Sequence, residues 1–329
     1  MTPKLHNSTT PSLNNNILMH KTHLAADRAV AIIIVTYNRV ANLRVTLEAC
    51  LAQQGDFHVL VVNNASTDDT AKYLEQAAAG ESRLSILQLT ENTGGAGGFA
   101  AGLQKAYDKG YAWFWLMDDD VIPLPKALPN LLAHSENAYC VYPAKECADG
   151  GLFAFEGEIS RKTLWRRYVH HAPELEGKGW LPVNSGNFEG AFIRREVVEA
   201  IGLPDERFFI CWDDTFYGMK AAEHFPCIYI KTVCMRKQFD KEQLHLFGGK
   251  FLSSTVFSRY YFFRNYWFVM RYLQKKGELS PLAYILYMLL LSKAVLITAM
   301  FERDPKGALK ILKGALHGMR GEFTPFFPR

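Results

Sequence analysis

The sequence lacks several features that would assign it quickly to a class of protein. Its six cysteines form no CxxC pair, and the 329 residues show no repeat of solenoid or propeller period. The formal net charge is only +4, so charge alone does not indicate a nucleic-acid partner, and we expect none. An apolar fraction of 49% excludes a mainly disordered chain. We expect a globular cytoplasmic protein with reduced thiols, whose function must be inferred from local motifs.

The beginning of the chain differs from the rest. Residues 1–28 are rich in Asn, Ser, Thr and His and lack the apolar core of a signal peptide. We expect 1–28 to be a disordered leader, 29–250 to form one domain, and 251–329 to form a helical region.

Apolar runs alternate with helical patterns after residue 28. Four runs predict buried strands: 30–35, 59–62, 84–89 and 111–117. The segments between them predict helices: about 40–53, 66–79 and 99–109. This alternation predicts an α/β fold with a mainly parallel sheet, in which ligands bind at the carboxyl ends of the strands. Polar residues lie at those ends: Thr36, Asn63, Asn64, Asn92 and Asp118–Asp120.

Three consecutive aspartates follow the fourth predicted strand. Side chains alternate along extended chain, so Asp118 and Asp120 should point to one side and Asp119 to the other. Two carboxylates on one side of a strand end suit a divalent cation that also holds phosphates. The alternative is a solvated acidic turn.

A glycine-rich segment, 92–100, precedes the fourth strand. Its four glycines allow a backbone to approach a ligand closely and to offer N–H groups to phosphate. Residues 95–100 also match the dinucleotide pattern GxGxxG/A, which leaves a nicotinamide-dependent oxidoreductase as an alternative. Two features argue against it: three residues separate the strand from the first glycine, and the acidic element is a triple carboxylate.

A second acidic pair, Asp213-Asp214, follows Trp212. One of these carboxylates could act as general base for a hydroxyl nucleophile. A helix N-terminus with acidic residues in its first turn is the alternative.

Taken together, these segments resemble the family 2 glycosyltransferases, which are inverting enzymes of GT-A fold with a Rossmann-like mixed sheet. The resemblance covers about 29–249. It rests on five segments in order: Ile34-Val35-Thr36-Tyr37-Asn38-Arg39, Val61-Val62-Asn63-Asn64-Ala65-Ser66-Thr67-Asp68, the turn after Asn92, Asp118-Asp119-Asp120 and Trp212-Asp213-Asp214.

The resemblance implies a role for each of these segments. Donor-binding residues would be Thr36, Arg39, Asn64, Asn92 and Asp118. Asp118 and Asp120 would hold Mg²⁺ or Mn²⁺, which neutralises the departing diphosphate. Asp214 would be the catalytic base, with Trp212 and Asp213 binding the acceptor.

Within the family, two stretches look most like the bacterial galactofuranosyltransferases: Gly94 to Phe99, and Leu203-Pro204 through Phe208-Phe209 to Trp212-Asp213-Asp214. Those enzymes use a histidine after the WDD segment as a third metal ligand, and His245 is the candidate here, with His224 as the other histidine available. The resemblance implies transfer of galactofuranose from UDP-galactofuranose to a lipid-linked or cell-surface glycan, such as a lipopolysaccharide O-antigen. A dTDP-rhamnose-dependent rhamnosyltransferase and an inactive nucleotide- or glycan-binding scaffold remain alternatives.

The tail has a membrane-like composition. Residues 281–301 are almost wholly apolar apart from Ser292 and Lys293, and could span a membrane, lie on it or pack beside the domain. Downstream, basic residues recur at helical spacing: Lys306, Lys310, Lys313, His317 and Arg320. The opposite face is apolar, with Ala308, Ile311, Leu312, Ala315, Leu316 and Met319. A basic amphipathic helix beside an apolar one predicts peripheral attachment to an anionic membrane, on the inner face of the cytoplasmic membrane. A solvated helix of a bundle is the alternative.

Overall fold

The structure is a computed structural model that describes most of the chain. The described residues are 29–153, 157–169, 172–239, 243–246, 249–252 and 254–326; of 243–246 and 249–252, only the backbone is described. The leader predicted at 1–28 lies outside them.

The first half of the fold is a parallel sheet. Its strands are β1 (Val30–Thr36), β2 (Phe57–Asn63), β3 (Leu84–Gln88) and β4 (Trp113–Asp118), in the spatial order β3-β2-β1-β4. All three pairings are parallel, and every residue of β1 is buried. The apolar runs of the sequence are therefore strands covered on both faces, as predicted.

The second half makes the sheet mixed. It adds β5 (Val121–Pro123), β6 (Cys140–Glu146), β9 (Trp180–Pro182), β10 (Phe192–Arg194) and β11 (Cys227–Lys237). Strand β10 runs antiparallel between β4 and β6, β11 pairs parallel with β6, and β5 and β9 pair antiparallel with β11. Two small hairpins lie outside this sheet, β7 (Gly157–Ile159) with β8 (Arg166–Tyr168), and β12 (Gln243–Leu246) with β13 (Gly249–Leu252).

Within the described ranges, seven α-helices and a short 3-10 helix, Glu206–Phe208, accompany the sheet. The α-helices are α1 (Val40–Leu51), α2 (Thr70–Ala78), α3 (Gly94–Asp108), α4 (Ala127–Leu132), α5 (Glu174–Lys178), α6 (Arg195–Ile201) and α7 (Asp213–Ala221). The predicted start of α3, near Phe99, was wrong, because the helix begins at Gly94. Glycine has low helix propensity, and tertiary contacts override it here.

Three further helices follow the hairpin β12–β13. Helix α8 (Val256–Lys275) precedes α9 (Pro281–Leu296), which continues as a π-helical turn over Ile297–Phe301, and α10 (Pro305–Arg320) packs along α8. Helix α9 buries one stripe, Ala283, Tyr287 and Leu291, at intervals of one helical turn. Among the described residues, the segment Pro281–Phe301 is the one helix long and apolar enough to cross a membrane, and only 22% of its most apolar stretch is buried.

Helix α10 differs from the predicted two-faced helix in two respects: one residue of its basic set is buried, and three residues of its apolar set are exposed. His317 faces inward, where its Nδ1 lies 2.6 Å from the hydroxyl of Tyr260 on α8. Ala308, Ile311 and Ala315 are also buried, while Leu309, Leu312, Leu316 and Met319 are exposed. The outer surface of α10 is thus both basic and apolar.

Candidate active site

One large cavity opens at the carboxyl ends of the strands. Its volume is about 830 Å³, within the range of sites that bind small molecules. Asp118 and Glu189 lie on its wall, and so do Trp212, Asp213 and Asp214. The two acidic motifs, almost a hundred residues apart in sequence, therefore face the same cavity.

Three carboxylates form a cluster at this wall. One oxygen from each of Asp118, Asp120 and Glu189 lies within 4.8 Å of the others. Among the described residues, Asp120 Oδ1 is buried with no hydrogen-bond partner. Oxygen ligands at this spacing fit a hard divalent cation. Asp118 and Asp120 lie close together, as the sequence suggested, and Glu189 is an addition; metal binding by these residues stays a prediction.

Glu189 immediately precedes the turn into β10, and two buried lysines hold it. Lys237, at the end of β11, places its Nζ 2.8 Å from Glu189 Oε1. Lys145, on β6, donates to the Glu189 carbonyl oxygen at 2.9 Å and to Asn187 Oδ1 at 2.8 Å. No motif surrounds Glu189 in the sequence, because the tertiary fold alone brings it to the aspartates.

Burial and crowding of like charges act on the acidic cluster. Burial, followed by the charges of Asp120 and Glu189, raises the pKa of Asp118 well above its usual value. Burial also raises the pKa of Asp119 to about 6, against an opposing hydrogen bond from Thr36. A cation held by Asp118, Asp120 and Glu189 would relieve this repulsion.

Asp119 is not part of the cluster and connects to the first strand. Its Oδ2 accepts from Thr36 Oγ1 at 2.7 Å, and its Oδ1 lies 3.4 Å from Arg39 Nη1. The same nitrogen is 3.0 Å from Asp120 Oδ2. Thr36 and Arg39, predicted to bind the donor, thus connect β1 to the aspartates.

The predicted donor residues Asn64 and Asn92 both hold the turn before α3. Asn64 Oδ1 accepts from the backbone N–H of Thr93 at 2.9 Å, and its Nδ2 donates to the Gly94 carbonyl at 2.9 Å. Asn92 Oδ1 accepts from the Gly94 N–H at 2.9 Å. Both side chains therefore shape this turn.

The glycines of α3 allow close packing. A Cβ on Gly94 would lie 2.2 Å from the carbonyl oxygen of Phe209, and one on Gly98 would lie 2.5 Å from Val35 Cγ1. Gly94 also has φ +72°, which disfavours other residues. Close packing therefore accounts for glycine at these two positions, where the sequence alone suggested phosphate binding.

The second acidic pair opens α7, as the helix-start alternative predicted, and it also lines the cavity. Burial, followed by the charge of Asp214, raises the pKa of Asp213 well above its usual value. Asp213 is 9% exposed and Asp214 more so, so Asp213 is the member of the pair favoured to hold a proton.

Aromatic residues form the cavity wall next to this pair. The Trp212 ring packs edge-on against Tyr266 at 4.9 Å and lies 5.5 Å from Phe262, both on α8. Within the described part of the chain, Trp212 Nε1 is buried without a hydrogen-bond partner. Leu286 and Leu290 of α9 complete this side, so the apolar tail helix reaches the cavity.

The histidine ligand suggested by the resemblance lies outside the described side chains. The backbone of His245 belongs to β12, and its ring is not described. His224 is exposed just after α7, beside the Phe225 ring, and is not part of the cavity wall.

A family model settles the relationship. The model for glycosyl transferase family 2 matches residues 31–202, which include β1 from its second residue, β2 to β4, the aspartates and Glu189. The chain belongs to glycosyl transferase family 2. The Trp212-Asp213-Asp214 segment lies just beyond the matched residues.

Individual relatives and a solved structure agree with this membership. The transferase is 32% identical over 196 residues to "Galactofuranosyltransferase GlfT1" of Mycobacterium tuberculosis, covering 56% of this chain and 62% of the relative. It is 31% identical over 135 residues to "Undecaprenyl-phosphate mannosyltransferase" of Micrococcus luteus, covering 41% of this chain and 55% of that one. The chain thus spans about three fifths of the length of these relatives.

The crystal structure of GalNAc-T7 with UDP, GalNAc and Mn²⁺ has a similar fold. The TM-score is 0.57 at 15% identity, over 75% of this chain and 48% of that one. The predicted GT-A fold with a C-terminal helical extension is confirmed.

Proposed function

We propose that the protein is an inverting, metal-dependent glycosyltransferase that moves galactofuranose from UDP-galactofuranose to a hydroxyl of a lipid-linked or cell-surface glycan. One observation supports this best: two members of the carboxylate cluster, Asp118 and Glu189, line the same cavity as the pair Asp213-Asp214. The carboxylate cluster suits a cation and a diphosphate, and Asp213-Asp214 suits an acceptor hydroxyl. The new glycosidic bond would form between these two groups. The likeness to GlfT1 favours galactofuranose as the sugar.

Each of these cavity residues would have its own role in the reaction. Asp214 accepts the proton of the acceptor hydroxyl as its oxygen attacks the anomeric carbon. The bond from that carbon to the diphosphate oxygen breaks, and UDP leaves with the electron pair. Attack on the face opposite UDP inverts the anomeric configuration. Trp212 and Asp213 would hold the acceptor beside Asp214.

The donor side of the cavity would hold the diphosphate and its cation. Asp118, Asp120 and Glu189 would bind Mg²⁺ or Mn²⁺, with His245 as a further proposed ligand. A bound divalent cation stabilises the negative charge of the departing diphosphate. Arg39 and Thr36 would fix the aspartates and line the donor side, while Asn64 and Asn92 would act there through the turn that they hold.

We expect donor turnover to identify the sugar. The full-length protein, supplied with membranes that contain lipid-linked acceptors, should release UDP from UDP-galactofuranose in the presence of Mn²⁺, and EDTA should stop the release. Turnover of dTDP-rhamnose instead would overturn the donor assignment. Turnover of neither nucleotide-sugar would contradict the proposed activity.

The tail would bring the active site to the membrane. The region from 251 to 329 carries apolar side chains outward, including Ile285, Leu289 and Met300 on the α9 segment and Leu309 on α10. Exposed lysines Lys306, Lys310 and Lys313 flank them. An apolar surface bordered by lysines suits the cytoplasmic face of a membrane with anionic lipids, where a lipid-linked acceptor would also lie.

Flotation with lipid vesicles tests the membrane proposal. Replacing Lys306 and Lys313 by Gln should weaken binding to phosphatidylglycerol vesicles about 30-fold, since each lysine near an anionic surface contributes about 1 kcal/mol. A matched control replaces the exposed Lys105 of α3 and Lys109, which directly follows α3, and removes the same charge elsewhere. Equal losses in the two variants would show that α10 is not the binding surface.

A further inference from the structure

The segment just before Asp213-Asp214 has an unusual backbone. Phe209 has φ 65° and ψ −64°, and the Ile210 N–H bonds to the Phe208 carbonyl at 2.8 Å, which is a γ-turn of the rare, strained kind. Cys211 and Trp212 also have positive φ, at 66° and 71°. Three of four consecutive residues are therefore left-handed, although none is glycine. Such conformations persist only where surrounding contacts enforce them.

Two neighbouring residues of α8 provide most of those contacts. The Asn265 side-chain amide donates to the carbonyls of Phe208, Ile210 and Cys211, at 2.9, 2.8 and 2.8 Å. Arg264 Nη2 donates to the carbonyls of Arg207 and Phe208, both at 2.8 Å.

The remaining carbonyl of 207–211 is satisfied from the other side. The Phe209 oxygen accepts from the Ala96 N–H of α3 at 3.0 Å, next to Gly94, where a side chain would collide with that oxygen. Every carbonyl from 207 to 211 is thus bonded. These hydrogen bonds matter because a buried carbonyl oxygen without a donor is unfavourable, so the loop needs the donors that Asn265, Arg264 and Ala96 provide.

Arg264 and Asn265 are themselves fixed in place. Both are fully buried, and Arg264 Nε donates to Asn265 Oδ1 at 2.9 Å. Arg264 Nη1 donates to the carbonyl of Thr324 at 2.8 Å, and its guanidinium lies 4.5 Å from the centre of the Tyr261 ring. Tyr261 in turn stacks on Phe209. The pair is a rigid support for the loop rather than a surface contact.

We propose that Arg264 and Asn265 are positioning residues, which hold 207–212 in its left-handed conformation and thereby place Asp214 at the acceptor side of the cavity. The proposal rests on the proposed role of Asp214 as the base. It makes α8 part of the catalytic unit, although α8 belongs to the tail region by sequence. Small displacements of a catalytic group lower rates strongly. The carboxylate cluster that would hold the cation and the diphosphate lies on other elements, at the end of β4 and before β10, and should be unaffected.

Steady-state kinetics with UDP-affinity measurements tests this role in the full-length protein. Asn265→Ala and Arg264→Lys should each lower kcat about 30- to 300-fold and leave the Kd for UDP within about threefold. Arg271→Ala is the matched control, because it removes an arginine–carbonyl hydrogen bond from α8 to Met319 and does not touch the loop. Its kcat and Kd should stay within about twofold of the parent.

A second substitution distinguishes a role of Asn265 in holding the loop conformation from a role in overall stability. Glycine adopts positive φ readily, so Cys211→Gly added to Asn265→Ala should restore about fivefold of the lost kcat. A merely structural role of Asn265 would not predict this recovery.

Several outcomes would overturn the proposal. They are a kcat within threefold of the parent for both variants, a parallel loss of UDP affinity, absence of the glycine rescue, or failure of both variants to fold, which would show a role in global stability. If Asn265→Ala alone fails to fold, Arg264→Lys decides, since it keeps the buried charge.

Asp214→Asn in the same assay separates the two proposals. Full activity of Asp214→Asn would refute the assignment of Asp214 as the base. If Asp214→Asn is inactive while the Arg264 and Asn265 variants are active, only the positioning role is refuted.

Discussion

Replacing Asp214 by Asn is expected to lower kcat for sugar transfer by about 10²- to 10⁴-fold, the usual contribution of a general base. Asparagine keeps the shape of the side chain and removes its ability to accept the hydroxyl proton. The donor side of the cavity is built from other strands, so the Kd for UDP should change little. Single-turnover transfer and calorimetric UDP binding measure the two quantities.

Asp213→Asn is the matched comparison for that experiment. Burial and the neighbouring charge raise the pKa of Asp213, which favours its protonated form. A neutral amide resembles that form, so the loss of kcat should be at least about tenfold smaller than for Asp214→Asn. The reverse order would assign the base to Asp213, and full activity of both variants would exclude the pair from the chemistry.

The alternation of apolar strands and helices was sufficient to predict the core of the fold. Strands β1 to β4 follow the predicted runs because a strand buried on both faces needs a continuous apolar sequence. The antiparallel insertion of β10 between β4 and β6 was not predicted, since its three residues carry no periodic signal.

The site was predictable only where its chemistry is concentrated in motifs. Asp118 and Asp120 were recognisable from strand-end position and alternation, and both belong to the observed cluster. Glu189 and Lys237 are single charged residues outside any recognisable motif, and the ion pair between them forms only in the folded protein. The glycines after Asn92 suggested phosphate binding, whereas Gly94 and Gly98 meet backbone and side chains of the protein itself.

Asp118→Asn is the second change with a large expected effect. It removes one of the clustered carboxylates, so Mn²⁺ affinity in the presence of UDP should fall about 10²-fold or more, and metal-dependent transfer should fall with it. Glu189→Gln should weaken Mn²⁺ binding in the same direction. Calorimetric titration of Mn²⁺ into the protein with UDP measures the loss.

The adjacent Asp119 provides the control for the metal site. Its carboxylate bonds Thr36 and Arg39 and is not one of the three clustered carboxylates. Asp119→Asn should therefore keep Mn²⁺ affinity within about tenfold of the parent, although it disturbs the link to β1. A loss as large as that of Asp118→Asn would mean that the two sides of this strand end are not functionally distinct.

Anomalous scattering from crystals grown with Mn²⁺ and UDP is the most direct measurement of the proposed site. We expect one anomalous peak bounded by carboxylate oxygens of Asp118, Asp120 and Glu189, with the diphosphate beside it and Asp214 across the same cavity. UDP bound in this cavity without a Mn²⁺ peak at these three residues, or a peak elsewhere, would contradict the metal-dependent mechanism.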